Sequence, residues 1–140
     1  MRSKNCHNSQ QKGSFRKRKL WIIIMFRKAE DRKQETRHEM RGGNGDVTLI
    51  HSFTEDELSS PTRVCATLVL EPGCSIGAHV HDQEEEIFYI IEGTAKASDN
   101  GKEVILNAGD SLLTGGGESH CIENIGDETL KVFAVVIKFA

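Results

Sequence analysis

From Val47 onward the chain breaks into short apolar runs of strand length, each closed by turn residues and none spaced as a helix. The runs fall at 47–53, 64–70, 75–80, 87–91, 94–98, 103–106, 111–114, 119–123 and 130–138. Between the fifth and the sixth, Asp99-Asn100-Gly101-Lys102 supplies a hairpin turn, because Asn-Gly reaches positive φ at little cost. Glu55-Asp56-Glu57-Leu58, just ahead of Pro61, suits a single helical turn. Strands this short and numerous, with glycine-rich turns and no helix between them, bury their apolar faces only against one another. The expected fold is therefore all-β, a sandwich or a barrel.

At 140 residues the chain is long enough for one domain with its own core, without disulfide or zinc staples. That domain is placed at 46–140, after the break Gly42-Gly43-Asn44-Gly45-Asp46. Residues 25–45 read as an arm, partly helical or disordered, because 26–41 is almost all charged or polar and carries no sustained apolar stripe. Ahead of it, Leu20 to Phe26 is apolar and follows Arg16-Lys17-Arg18-Lys19, which imitates the start of a signal peptide. No small-residue cleavage site follows, and the run is too short to span a bilayer. Met25 opens a sequence that reads like a natural start, so 1–24 is expected to be a disordered or over-called extension.

The net charge of -3 conceals an asymmetry: thirteen of the eighteen Lys and Arg residues lie within the first 41 positions, beside only four acidic ones. The remainder holds five basic and seventeen acidic residues. A domain this acidic is a poor polyphosphate binder, so neither nucleic acid nor a membrane is an expected partner. Cys6, Cys65, Cys74 and Cys121 form no CxxC pair and no dense framework, which fits reduced thiols in a cytoplasm. Cys74 and Cys121 flank the most informative stretches, and both are read as small apolar strand residues. The last run, 130–138, is apolar on both faces apart from Lys131. One face fills a core and the other needs a cover. A second copy of the chain is the expected cover, giving a homodimer, in preference to the arm folding back.

Within this β frame, His79 and His81 stand two apart, so on a strand they share a face. The polar stretch Asp82-Gln83-Glu84-Glu85 then turns the chain, and a strand starting at Glu86 brings a carboxylate back beside both imidazoles. His120 opens a later strand behind Gly115-Gly116-Gly117-Glu118 and can face the hairpin across a barrel. Three imidazoles and a carboxylate suit one divalent transition metal, Mn or Fe first, with Zn, Ni, Co or Cu also able to use these donors. Four protein ligands on a six-coordinate ion leave two positions for a substrate.

Two spaced patterns are satisfied at once. Gly73, His79, His81, Glu86 and Gly93 fit glycine, five residues, His-x-His, four residues, glutamate, six residues, glycine. Gly109, Gly117, His120 and Asn124 fit a second pattern in which Gly115 replaces the usual proline. In these motifs the chain resembles the cupin superfamily over roughly 47–140, and most of all its small single-domain members. The resemblance implies a double-stranded β-helix, or jelly-roll barrel of the RmlC-like kind, with a metal in its mouth and a dimeric habit. It implies the ligand set His79, His81, Glu86 and His120, as in germins, oxalate decarboxylases and several dioxygenases.

A divalent metal with one carboxylate ligand retains positive charge, which favours a small anionic or oxygen-rich substrate. Dioxygenase, decarboxylase and isomerase chemistry are all compatible, and a non-catalytic binding or sensing role is the alternative. Strand alternation places Phe88 beside Glu86, and Ile122 and Asn124 beside His120, as pocket candidates. Arg41, next to the Gly42-Gly43 hinge, is a further candidate for holding an anion. Glu118 is a candidate proton shuttle, weighed against a solvated loop carboxylate.

Overall fold

A computed structural model describes residues 25–139. The described residues fold into ten strands in two antiparallel sheets. They are β1 (Gln34–His38), β2 (Asp46–His51), β3 (Thr62–Leu70), β4 (Ser75–Val80), β5 (Glu84–Glu92), β6 (Thr94–Asp99), β7 (Lys102–Asn107), β8 (Ser111–Gly115), β9 (Ser119–Asn124) and β10 (Leu130–Lys138). One sheet runs β1-β2-β3-β10-β5-β8 and the other β4-β9-β6-β7. Successive strands thus alternate between sheets along much of the chain, which makes a jelly-roll sandwich rather than a meander.

Alternation along the strands builds the core between the sheets. Val47 and Leu49 from β2, Leu68 and Leu70 from β3, Phe88 and Ile90 from β5, Ile122 from β9 and Val132 and Ala134 from β10 are buried together. On β10, the long strand between β3 and β5, Leu130, Val132, Ala134 and Val136 face inward, while Lys131, Phe133, Val135 and Ile137 remain half-buried on the outer side. The outer side of β3 is half-covered in the same way, while Thr62, Ala66, Leu68 and Leu70 are buried on its inner side. Asn100 and Gly101 take φ of 48° and 86° between β6 and β7, the turn expected of an Asn-Gly pair.

Two readings are corrected. The charged stretch 26–41, whose composition favours helix, contains only two short 3-10 turns, Ala29–Asp31 and Met40–Gly42, and between them the strand β1. β1 pairs along its whole length with β2, and cross-strand contacts such as Thr36 Oγ1 to Thr48 Oγ1 at 3.0 Å hold it as an edge strand. Residues 55–57 form a turn and no helix, closed by the Glu57 N–H donating to the Thr54 carbonyl and the Glu57 carboxylate accepting from the Thr54 N–H. The extension 1–24, with Cys6, lies outside the described residues.

Candidate metal centre

β4 and β9 are neighbours in the second sheet, with His79 opposite His120 in their register. β5 belongs to the facing sheet and carries Glu86 inward, opposite Thr114 of β8. The strand begins at Glu84, two residues earlier than expected, because only Asp82 and Gln83 are needed to turn the chain, Gln83 at φ 55°. The sandwich therefore brings together His79 of β4, Glu86 of β5 and His120 of β9, with His81 one residue past the end of β4; His81, Glu86 and His120 are buried and His79 is partly exposed.

The Nε2 atoms of His79, His81 and His120 lie 3.0, 3.1 and 3.2 Å from one another. Glu86 Oε2 is 2.8 Å from His81 Nε2 and 2.9 Å from His120 Nε2, but 3.8 Å from His79 Nε2. Ligands about 2.1 Å from a metal are about 3.0 Å apart at adjacent octahedral corners, about 4.2 Å at opposite ones, and about 3.4 Å throughout a tetrahedron. Five separations near 3 Å and one of 3.8 Å place the four side chains so that they would hold one divalent ion together, and four protein donors would leave positions free on a six-coordinate metal.

Each imidazole is oriented differently. His79 Nδ1 donates to the Gly77 carbonyl at 2.9 Å, and because a carbonyl only accepts, the Nε2 of the neutral ring is a bare lone pair aimed inward. His81 Nδ1 donates to Glu84 Oε1 at 2.9 Å, and Glu84 is itself gripped by Arg63, Nε to Oε2 at 2.9 Å and Nη2 to Oε1 at 2.5 Å. His120 Nδ1 is buried without a hydrogen-bond partner. Its ring is held by stacking on Phe88, centroids 4.8 Å apart at 12°.

The cluster sets its own charge. Burial acts to raise the pKa of Glu86, but the hydrogen bonds from His120 and His81, with the more distant His79 adding to them, outweigh it and hold the carboxyl well below the usual range. The hydrogen bond to Glu86 raises His81 above 6.5 despite burial, while burial lowers His120 below it. Arg63 lowers Glu84.

A cavity of about 30 Å³ adjoins the cluster, lined by His79, His81 and Glu86 together with Arg37, Arg41 and Arg63. Phe88 also lines it. Ile122 instead packs fully into the core and borders a larger groove, about 320 Å³, on the outer face of the second sheet, which no metal ligand lines. Cys121 borders that outer groove too, 3.1 Å from Ser98 Oγ, while Cys74 packs against the core. Asn124 does not line the metal-side cavity. Its amide donates to the Leu70 and Glu128 carbonyls at 2.9 and 2.8 Å and its oxygen accepts from the Gly126 N–H at 2.9 Å, so it fastens a chain reversal. The Glu118 side chain is exposed, and it is the Glu118 carbonyl that accepts the His81 N–H, at 3.0 Å.

Arg41 reaches the cavity from the turn Met40–Gly42, where it takes a left-handed φ of 57°. A Cβ on Gly77 would collide with the Arg41 carbonyl, and one on Gly43 with the Ser75 carbonyl, so the turn seats on β4 only because both positions lack side chains. The motif departure at Gly115 has a similar cause: a Cβ there would come 2.7 Å from Glu85 Cβ on the paired strand. Arg63, Arg37 and Glu84 were not singled out from the sequence. The His81-x-x-Glu84 spacing was visible, whereas Arg63 is set beside Glu84 only by tertiary structure.

A family model, the cupin domain, matches residues 66–136. The chain is 44% identical over 98 residues to an oxalate-binding protein of Thermotoga maritima, covering 70% of this chain and 81% of that protein. It is 35% identical over 81 residues to tetracenomycin polyketide synthase protein TcmJ of Streptomyces glaucescens, 54% of either chain. Among solved structures, a predicted oxalate decarboxylase from Thermotoga maritima superimposes with a TM-score of 0.78 and 39% identity, over 82% of this chain and all of that one.

Proposed function

The chain belongs to the cupin family, and from that membership we propose a metal-dependent enzyme acting on a small chelating anion, an oxalate-like dicarboxylate being the first candidate. The observation that carries this reading is the cavity beside the four ligands: about 30 Å³, with Arg37, Arg41 and Arg63 on its wall. At about 10–15 Å³ per water, such a space admits only a few atoms, and a fused aromatic ring system does not enter unless the Arg41 turn moves. Arg37 is paired with Glu35 and Arg63 with Glu84. Arg41 has no hydrogen-bond or ion-pair partner among the described residues, so its guanidinium is free to hold a carboxylate by two parallel hydrogen bonds.

His79, His81, Glu86 and His120 would hold the metal, Mn or Fe first, with Zn, Ni, Co or Cu also served by these donors. Bound there, the ion supplies Lewis acidity towards a chelated oxygen, and if redox-active also electron transfer with dioxygen, which opens decarboxylase, dioxygenase or isomerase chemistry. The chain's own part is to orient the anion through Arg41, present an apolar wall at Phe88 and exclude bulk water.

Binding without turnover is the second reading, favoured by one observation: no acid–base side chain other than the ligands lines the cavity. Metal analysis of natively purified protein, followed by oxygen-uptake and CO₂-release assays against small mono- and dicarboxylates, separates the two. Turnover of one panel member, with Arg41→Ala raising its KM, supports the enzyme; tight stoichiometric binding with no turnover across the panel supports the binding protein.

The protein is further proposed to be a cytoplasmic homodimer. Cys65, Cys74 and Cys121 are free thiols, and among the described residues no helix is long and apolar enough to cross a membrane. Ile87, Tyr89, Ile91 and Leu113 are exposed on one face of β5 and β8, next to Phe133, Val135 and Ile137 of β10. The described part of the arm pairs at the β2 edge and leaves that face uncovered. Light scattering on the purified full chain measures the oligomer directly, and a monomer at all concentrations contradicts this assignment.

A further inference from the structure

We propose that Glu84 and Arg63 form a positioning pair for the metal centre: Glu84 fixes the tautomer and basicity of His81, and Arg63 acts only through Glu84. The inference rests on the metal-site reading above and adds to it two residues that are not among the four ligands.

The geometry is specific. Glu84 Oε1 accepts from His81 Nδ1 at 2.9 Å and from Arg63 Nη2 at 2.5 Å, while Oε2 accepts from Arg63 Nε at 2.9 Å. An ionised carboxylate has no proton to give, so in the neutral ring, the form that binds a metal, the single His81 proton resides on Nδ1 and the Nε2 lone pair is left to face Glu86, His79 and His120. The negative charge behind the ring also makes that lone pair a stronger donor to a metal. His79 has only a backbone carbonyl at its Nδ1, and His120 has no partner there. His81 is thus the one ligand whose donor strength is set by a charged side chain.

Arg63 stands where it prevents a competing arrangement. β3 and β5 are the two neighbours of β10, so Arg63, near the start of β3, and Glu84, at the start of β5, meet across the end of β10. The two-point grip of the guanidinium fixes the plane of the carboxylate and leaves one lone pair of Oε1 for the imidazole. Without that grip Glu84 is a half-buried strand-end side chain free to rotate into solvent. Arg63 also lines the cavity, so any effect through the anion must be separated from the effect through Glu84.

The test is a double-mutant cycle in metal affinity, with no organic ligand present. Metal-free wild type, Glu84→Gln, Glu84→Ala, Arg63→Ala and the double variant Arg63→Ala/Glu84→Ala are titrated with Mn²⁺ by chelator competition, and their thermal unfolding without metal is recorded alongside. Glu84→Ala is expected to weaken Mn²⁺ binding about 10- to 100-fold, the usual cost of losing a residue that orients a ligand. Glu84→Gln, whose amide oxygen still accepts from Nδ1 but carries no charge, is expected to fall between Glu84→Ala and wild type. Arg63→Ala is expected to weaken binding, and the double variant to be no weaker than Glu84→Ala alone.

Wild-type affinity in both Glu84 variants overturns the proposal, as does a double variant in which the two losses simply multiply. A loss in affinity that merely tracks a lowered metal-free melting temperature across the set also overturns it, since that signals damaged packing. Wild type that binds no Mn²⁺ overturns the metal centre itself, and this inference with it.

Discussion

His81 Nε2 and His120 Nε2 face each other at 3.0 Å inside the sandwich, with Glu86 Oε2 within 2.9 Å of both. Two protonated nitrogens cannot share that separation without repulsion, so the site accommodates a proton between ring and carboxylate, or a metal in place of protons. The competition sets the pH dependence. His81 is held above its ordinary 6.5, chiefly by its hydrogen bond to Glu86, and must lose its Nε2 proton to bind a metal. Apparent Mn²⁺ affinity should therefore be flat at alkaline pH and fall by about tenfold per unit once pH drops through the raised His81 value, one proton being exchanged per metal. In metal-free protein the same shift has the opposite sign: its contribution to stability is complete below 6.5 and is lost as pH rises through the folded value. Affinity unchanged between pH 6 and pH 8 would contradict this assignment.

Removing a ligand should empty the site without unfolding the barrel, because the core of Leu49, Leu70, Ile90, Leu130 and Val132 is assembled independently of it. His81→Ala is expected to lose most metal retention and keep a cooperative unfolding transition. Glu86→Gln should bind more weakly and shift preference among metals, since the only anionic donor is gone. Metal content and circular dichroism on both variants check this, and unaltered retention in Glu86→Gln means another carboxylate is the ligand.

Arg41 is expected to govern substrate and not metal. Arg41→Ala should raise KM or Kd for the anion by about tenfold or more, as loss of a charge-assisted pair of hydrogen bonds does, while leaving Mn²⁺ affinity within about twofold. Gly43→Ala should reproduce that phenotype, because the added methyl meets the Ser75 carbonyl and displaces the whole turn. Equal loss of metal in either variant contradicts a role confined to the anion.

Asn124 should register in stability. Its side chain serves the Leu70 and Glu128 carbonyls and the Gly126 N–H from a buried position, and alanine leaves them without it. Asn124→Ala is expected to cost about 1–3 kcal/mol in denaturant unfolding, with metal affinity essentially retained. A large loss of metal affinity at unchanged stability would move Asn124 into the site.

Where the sequence was informative, short-range chemistry decided the outcome. The Asn100-Gly101 turn, the alternation along β10 and the two-residue step from His79 to His81 are local, and each forms as its pattern requires. β1 was not legible, because an edge strand with one face in water needs no apolar stripe, and its residues Gln34–His38 look like any solvated segment. Asn124 and Ile122 were placed near the pocket by alternation alone, which gives the face of a strand but not the distance along it to the metal. Arg63 was invisible for another reason: its partner Glu84 is 21 residues away, and β10 passes between their strands.

The central claim, one six-coordinate metal held by His79, His81, Glu86 and His120, is met most directly by titrating metal-free protein with Co²⁺ while recording its visible spectrum. One equivalent should saturate a weak absorption of the octahedral kind, and His81→Ala should abolish the saturable phase. An intense tetrahedral spectrum, or no saturable binding at one equivalent, would contradict it.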